Sequence, residues 1–160
     1  MAYDKSFRCI VATPTRELFS GDIYYADVPG YAGHYGVIRD HESLVATNHQ
    51  GGKLVLWLDP EGNNKRTFLI HMGCSQMLHN HLSVLGRFGK DIEDLDAERS
   101  KRRAEEVRAE IEERKAQMSE DDSEERKAAD RAWIITEEIH KDWHEAQVRY
   151  AETGQESYKQ

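Results

Sequence analysis

Between Gly89 and Gly154 the chain holds neither glycine nor proline, whereas the stretch up to Gly89 holds all the other glycines and all three prolines. Glycine and proline interrupt regular structure, so the first part is broken every few residues and the second is not broken at all. A chain divided in this way must place short strands and turns first and long helices second.

In the first part, strands are predicted over 7–12, 23–28, 44–47, 54–58, 67–72, 75–78 and 82–85, with turns at Ser20-Gly21-Asp22, 48–52, 59–64 and 79–81. Turn signals fall roughly every ten residues, the spacing of an all-β sandwich or barrel. The stretch 28–45, VPGYAGHYGVIRDHESLV, carries Pro29, Gly30, Gly33 and Gly36 close together and reads as a shaped, tight loop, followed by a short strand at Val37-Ile38 and a second turn at Arg39-Asp40-His41, a surface suited to docking. After Lys90 the good helix formers Glu, Arg, Lys and Ala dominate. Asp91, Glu93, Asp94 and Asp96 crowd the expected first turns, where a helix dipole favours acids. Ile92, Leu95, Ala104, Val107, Ile111 and Met118 form a sparse apolar stripe. Ala128, Ala132, Ile135, Ile139, Trp143, Ala146 and Tyr150 form a fuller one, and 119–123 is a polar break between them. Two such helices predict an antiparallel hairpin. The expected fold class is therefore α+β: an all-β sandwich over 1–88, a two-helix hairpin over 91–150 and a disordered tail over 151–160.

Charge narrows the partners. The chain has a net charge of −8, and the residues 91–150 carry 20 acids against 12 bases. Such a surface does not suit nucleic acid. No apolar run reaches the 18 residues of a membrane span, and no signal peptide is read. The two cysteines, Cys9 and Cys74, fall in predicted strands and read as free buried thiols in a reducing compartment. Eight histidines are present, but His79 and His81 lack a following carboxylate and no metal site is expected. Neither a nucleophile elbow nor a phosphate-binding glycine loop occurs, so the chain is not expected to be an enzyme.

Three segments carry a family likeness. Thr13-Pro14-Thr15-Arg16-Glu17-Leu18-Phe19-Ser20-Gly21 stands upstream, the 28–45 stretch follows, and Asn80-His81-Leu82-Ser83-Val84-Leu85 closes the series. In this order they resemble the epsilon subunit of the bacterial rotary ATP synthase. The resemblance implies a non-catalytic rotor subunit with gamma, the c-ring, alpha and beta as partners, held peripherally at the cytoplasmic face of the cell membrane. It implies that Gly33, His34, Tyr35, Gly36, Val37, Ile38 and His41 meet gamma and the c-ring, with His34 standing where many members have an acid. It implies that the C-terminal helices inhibit ATP hydrolysis, and Lys127, Arg131 and Lys141 are the candidate contacts to the catalytic head. No cofactor is implied beyond a regulatory ATP. Some members bind it through a run near the start of the first helix, which Asp96 and Arg99 match. Ser100 and Glu106 depart from that pattern, and Arg126 is the candidate second clamp. The alternative reading is a free-standing β-sandwich binding module that oligomerises through its helices.

Overall fold

The computed structural model describes residues 3–156. Among these residues there are ten strands: β1 (Phe7–Ala12), β2 (Glu17–Ile23), β3 (Tyr25–Gly30), β4 (Gly33–Val37), β5 (Leu44–Thr47), β6 (Gln50–Trp57), β7 (Lys65–His71), β8 (Cys74–Leu78), β9 (His81–Leu85) and β10 (Phe88–Asp91). They form two five-stranded sheets, ordered β2-β1-β9-β8-β5 and β10-β7-β6-β3-β4. Two helices follow, α1 (Ala97–Gln117) and α2 (Glu124–Thr153). The expected α+β class, a sandwich followed by a helical hairpin, is borne out. Two compact units result, one of the strands through Leu95 together with Glu156 and one of Asp96–Gln155.

Alternation in the sequence builds the sandwich. In β1 the side chains of Phe7, Cys9 and Val11 are buried while Arg8 and Ile10 face outward. Leu82 and Val84 of β9, Leu54 and Leu56 of β6, and Phe68 and Ile70 of β7 fill the space between the sheets. The Asp59–Asn64 turn joins β6 to β7, and the Asp59 carboxylate accepts the amides of Asn63 (2.9 Å) and Asn64 (2.5 Å).

Several local expectations are corrected. Ser20-Gly21-Asp22 is strand, because β2 pairs antiparallel with β1 through Ile10↔Ser20, Cys9↔Gly21 and Arg8↔Asp22. Gln50 already belongs to β6, whose first residues absorb a bulge between Gln50 and Gly52. The sandwich extends past residue 88, since β10 pairs with β7 from Phe88↔His71 to Asp91↔Phe68. Asp91 therefore starts no α-helix. It pairs with Arg66 at 2.7 Å and caps a single 3₁₀ turn, Ile92–Asp94.

The hairpin forms for the expected reasons. Asp96 caps α1 by accepting the Arg99 amide at 3.0 Å, and Ser123 caps α2 through the Arg126 amide at 3.3 Å. Ala104, Val107 and Ile111 of α1 and Trp143 and Ala146 of α2 are buried. Polar contacts fix the antiparallel register: Ser100 to Gln147, Arg108 to Glu145 at 2.6 Å and Arg114 to Asp130 at 2.8 Å. The Arg114 guanidinium also lies 4.6 Å over the Trp133 ring. The expected tail begins too early, because α2 continues to Thr153. Ala151 and Glu152 favour helix, and Gly154 ends it in the left-handed region at φ 66. The rest of that expectation, residues 157–160, lies outside the described residues.

Candidate functional site

Residues 28–37 of the 28–45 stretch are not a loop but the outer edge of a sheet, and 38–43 form the turn that leads into β5 of the other sheet. β3 and β4 pair from Ala26↔Val37 to Gly30↔Gly33, closing on Tyr31 and Ala32. β4 ends the order of its sheet, next to β3. Gly33 takes φ 139, a conformation that L side chains rarely adopt, and this starts the returning strand. Two large apolar side chains stand out at its ends: Tyr31 is 71% exposed and Ile38 40%.

Both ends of this edge are fastened. At the Tyr31 end the fastener is Asn48, itself buried. Its Nδ2 donates to the carbonyls of Met72 and Leu85, both at 3.1 Å, and its Oδ1 accepts from the Ser75 hydroxyl at 2.5 Å. Its backbone bridges Gly30, while the Tyr31 amide donates to Thr47 and the His49 amide to Pro29. At the other end, Asp40 adopts φ 61 and exchanges two bonds with Asn80, 2.7 Å from its amide and 3.0 Å to its carboxylate. Arg39 reaches the Ser6 carbonyl at 2.7 Å. The edge is thus a rigid presentation surface rather than a mobile loop.

The seven residues expected to meet partners divide between two faces. His34 and Gly36 face outward, and a Cβ on Gly36 would stand 2.8 Å from the Tyr25 hydroxyl. Tyr35 packs against the core and Val37 is fully buried, so these two anchor the strand and offer a partner little. His41 turns back on its own segment, its Nδ1 lying 2.8 Å from the Glu42 carbonyl. His34 is held between two carboxylates, Asp27 at Nδ1 (2.9 Å) and Glu156 at Nε2 (2.7 Å).

In the helical unit, Asp96 and Arg99 are adjacent, but Asp96 bonds the Arg99 backbone amide as a cap and not its guanidinium. Arg126 lies in the first turn of α2, where it pairs with Asp122 at 3.5 Å. In an antiparallel hairpin the start of α1 meets the end of α2. Arg99 and Arg126 are therefore separated by nearly the length of α1, roughly 30 Å at 1.5 Å per residue. They cannot jointly clamp one nucleotide in this fold. Lys127, Arg131 and Lys141 all lie on α2 and pair with local acids: Lys127 and Arg131 with Glu124, and Lys141 with Asp142.

Cys9 is buried, and burial pushes its thiol up to about 12. Cys74 is exposed, contrary to expectation, because it sits on the outward side of β8. Among the described residues no group of three or more His, Cys, Asp or Glu side chains is placed to hold a metal ion. His79 sits in a left-handed turn at φ 49 while His81 starts β9, so the two do not share an extended face.

His71 is the titratable group with the clearest consequence. Its ring is 2% exposed, and burial, with His49 and Arg87 nearby, lowers it from 6.5 to about 4. The folded value lies below the unfolded one, so the unfolded chain takes up the proton first. The stabilisation is whole above the unfolded value and is lost as pH falls from there towards the folded one. At about 1.4 kcal/mol per unit, the loss amounts to about 3 kcal/mol. Urea midpoints measured down this range should fall accordingly, and His71→Gln should flatten the fall. An equal fall in the variant would place the acid sensitivity elsewhere.

Sequence missed Asp27, Asn48, Asn80 and Glu156. Asn48, Asn80 and Glu156 act through partners far along the chain, while Asp27 meets His34 seven positions on, across the β3–β4 pair; Asn48 and Asn80 fell in predicted turns, but their side-chain partners left no local signal.

The chain is thus a five-on-five sandwich with a fastened, outward hairpin edge, followed by a charged two-helix hairpin. No family model matches the chain. It is 30% identical over 106 residues to an ATP synthase epsilon chain from Pelotomaculum thermopropionicum, covering 64% of this chain and 76% of that protein. It is 32% identical over 95 residues to one from Solibacter usitatus, covering 59% and 68%. A chain in the cryo-EM structure of the Euglena gracilis mitochondrial ATP synthase, OSCP/F1/c-ring in rotational state 1, shares the fold. Its TM-score is 0.57 at 18% identity, over 88% of this chain and 78% of that one. The chain belongs to the ATP synthase epsilon chains, and the resemblance drawn from its three sequence segments is borne out.

Proposed function

We propose that this chain is a non-catalytic rotor subunit that couples the gamma shaft to the c-ring, with the β3–β4 edge as its docking surface. The observation that carries this reading is the fastening of that edge: Asn48 at one end and the Asp40–Asn80 pair at the other hold Tyr31 and Ile38 outward. Torque transmission needs such a rigid contact. Membership of the epsilon chains supplies the partners: gamma, the c-ring, and the alpha and beta subunits of the head. Membrane association on this reading goes through those partners, since no helix among the described residues is long and apolar enough to cross a membrane.

The helical unit is proposed as the part that restrains ATP hydrolysis. Lys127, Arg131 and Lys141 form ion pairs with acids of their own helix, worth about 0–1 kcal/mol each, and Arg131 also donates to the Lys127 carbonyl; acidic segments of the head can replace such pairs at little cost. A regulatory ATP would find Arg99, with Arg126 out of reach.

The test is capture of the tagged chain from membranes of its own source, followed by mass spectrometry. Gamma should be recovered with alpha, beta and c subunits. Ile38→Asp, at an exposed position, should lower recovery of c at least about tenfold by burying a charge in the contact, while the variant stays folded. Recovery of the chain alone as a stable oligomer would overturn the reading in favour of a free-standing module.

A further inference from the structure

We infer that His34 and the backbone N–H of Lys53 form a carboxylate-binding notch beside the β3–β4 edge, which the chain fills with its own Glu156. The backbone creates the notch. β3 and β6 pair only from Tyr25↔Trp57 to Asp27↔Val55. The next residue of β3 on that register is Pro29, beyond Val28. Proline has no N–H, and the Pro29 carbonyl accepts from His49 instead. The Lys53 amide thus lies where the ladder has opened, and it donates to Glu156 Oε1.

His34 supplies the second donor. Its Nε2 lies 2.7 Å from Glu156 Oε1 and 2.9 Å from Oε2, so a main-chain amide and an imidazole converge on one carboxylate. Asp27 sets the ring from behind through Nδ1, on the neighbouring strand. Both ring nitrogens therefore face carboxylates, Asp27 of β3 at Nδ1 and Glu156 at Nε2. The Glu156 side chain is only 17% exposed, a seated carboxylate rather than a passing surface contact.

The notch itself stands without the rotor reading; only its consequence rests on it. A partner that docks on β4 at His34 must either displace Glu156 or present a carboxylate of its own. The notch therefore makes the end of this chain a competitor for its own docking edge.

The test uses NMR of the full chain, reading the Lys53 amide and the His34 ring nitrogens. In Glu156→Ala the Lys53 amide should lose its downfield position and exchange about tenfold faster, the equivalent of one lost hydrogen bond. Acetate titrated into that variant should restore both sets of signals saturably, and should fail to do so in Glu156→Ala/His34→Ala. Unchanged Lys53 and His34 signals in Glu156→Ala would overturn the inference, as would an equal acetate response in the double variant. Neither result depends on capture of other subunits, so failure of the notch and failure of the rotor reading are distinguishable.

Discussion

Asn48→Ala is expected to destabilise the sandwich by about 3 kcal/mol and to lower its melting temperature by roughly 10–20 °C. Asn48 is 2% exposed, and its side chain makes three hydrogen bonds, to Ser75 of β8, Leu85 of β9 and Met72 in the link between β7 and β8. Each bond contributes about 1 kcal/mol net, but the larger part of the cost lies in what remains. Alanine strands the Met72 and Leu85 carbonyls and the Ser75 hydroxyl, and Ser75 is fully buried. Asn48→Asp should be nearly as damaging, because a carboxylate can accept from Ser75 but presents a charge to two carbonyls. The measurement is thermal unfolding with NMR of the Tyr31–Gly33 amides. These should broaden or shift even at temperatures where the variant remains folded, since Asn48 fastens that turn through the Gly30 bridge. A loss below about 1 kcal/mol, with the turn unmoved, would show that the end of the edge is held by the strands alone.

Asn48 also marks where sequence reading ran out. Residues whose role is periodic were legible: Phe7, Cys9 and Val11 alternate inward as strand residues must, and Ala104, Val107 and Ile111 recur at helical spacing. The Asp59 turn was legible because its chemistry is local. Asn48 has the composition of a turn residue, and nothing near it in the chain reveals that its amide serves Met72 and Leu85. The same holds for Glu156, whose contact with His34 spans 122 positions. Only the end of β4, at Val37, was legible as strand; the rest was hidden by its own glycines. Gly33 does start a turn-like excursion at φ 139, but Gly36 lies in the regular ladder opposite Asp27, where the Tyr25 ring leaves no room for a side chain. The Arg99–Arg126 clamp failed for a reason already contained in the hairpin expectation. Antiparallel helices joined by a short loop bring the start of the second to the end of the first, not to its beginning.

Gly73→Ala should be the most damaging single methyl in the sandwich, costing about 4 kcal/mol or more. Met72 and Gly73 join β7, in one sheet, to β8, in the other, so this two-residue link is a corner between layers rather than a hairpin. Both residues take positive φ, 61 at Met72 and 81 at Gly73. The conformation alone costs an alanine about 1–2 kcal/mol. The space is the larger obstacle: a Cβ at Gly73 would stand 2.0 Å from the Leu85 carbonyl oxygen and 3.0 Å from its carbon. Those atoms are backbone at the end of β9, and the same oxygen is held by Asn48 Nδ2. Relief would require moving a strand end together with the fastener of the docking edge. Gly154→Ala provides the control. Gly154 has φ 66 but nothing within 4 Å of its Cβ position, so its cost should be near 1 kcal/mol and confined to the end of α2. Urea unfolding of both variants, followed by hydrogen exchange in β7–β9, separates the conformational term they share from the clash that only Gly73 meets. Equal losses in the two would mean that the corner has room to relax and that the β3–β4 edge is less firmly held than its hydrogen bonds imply.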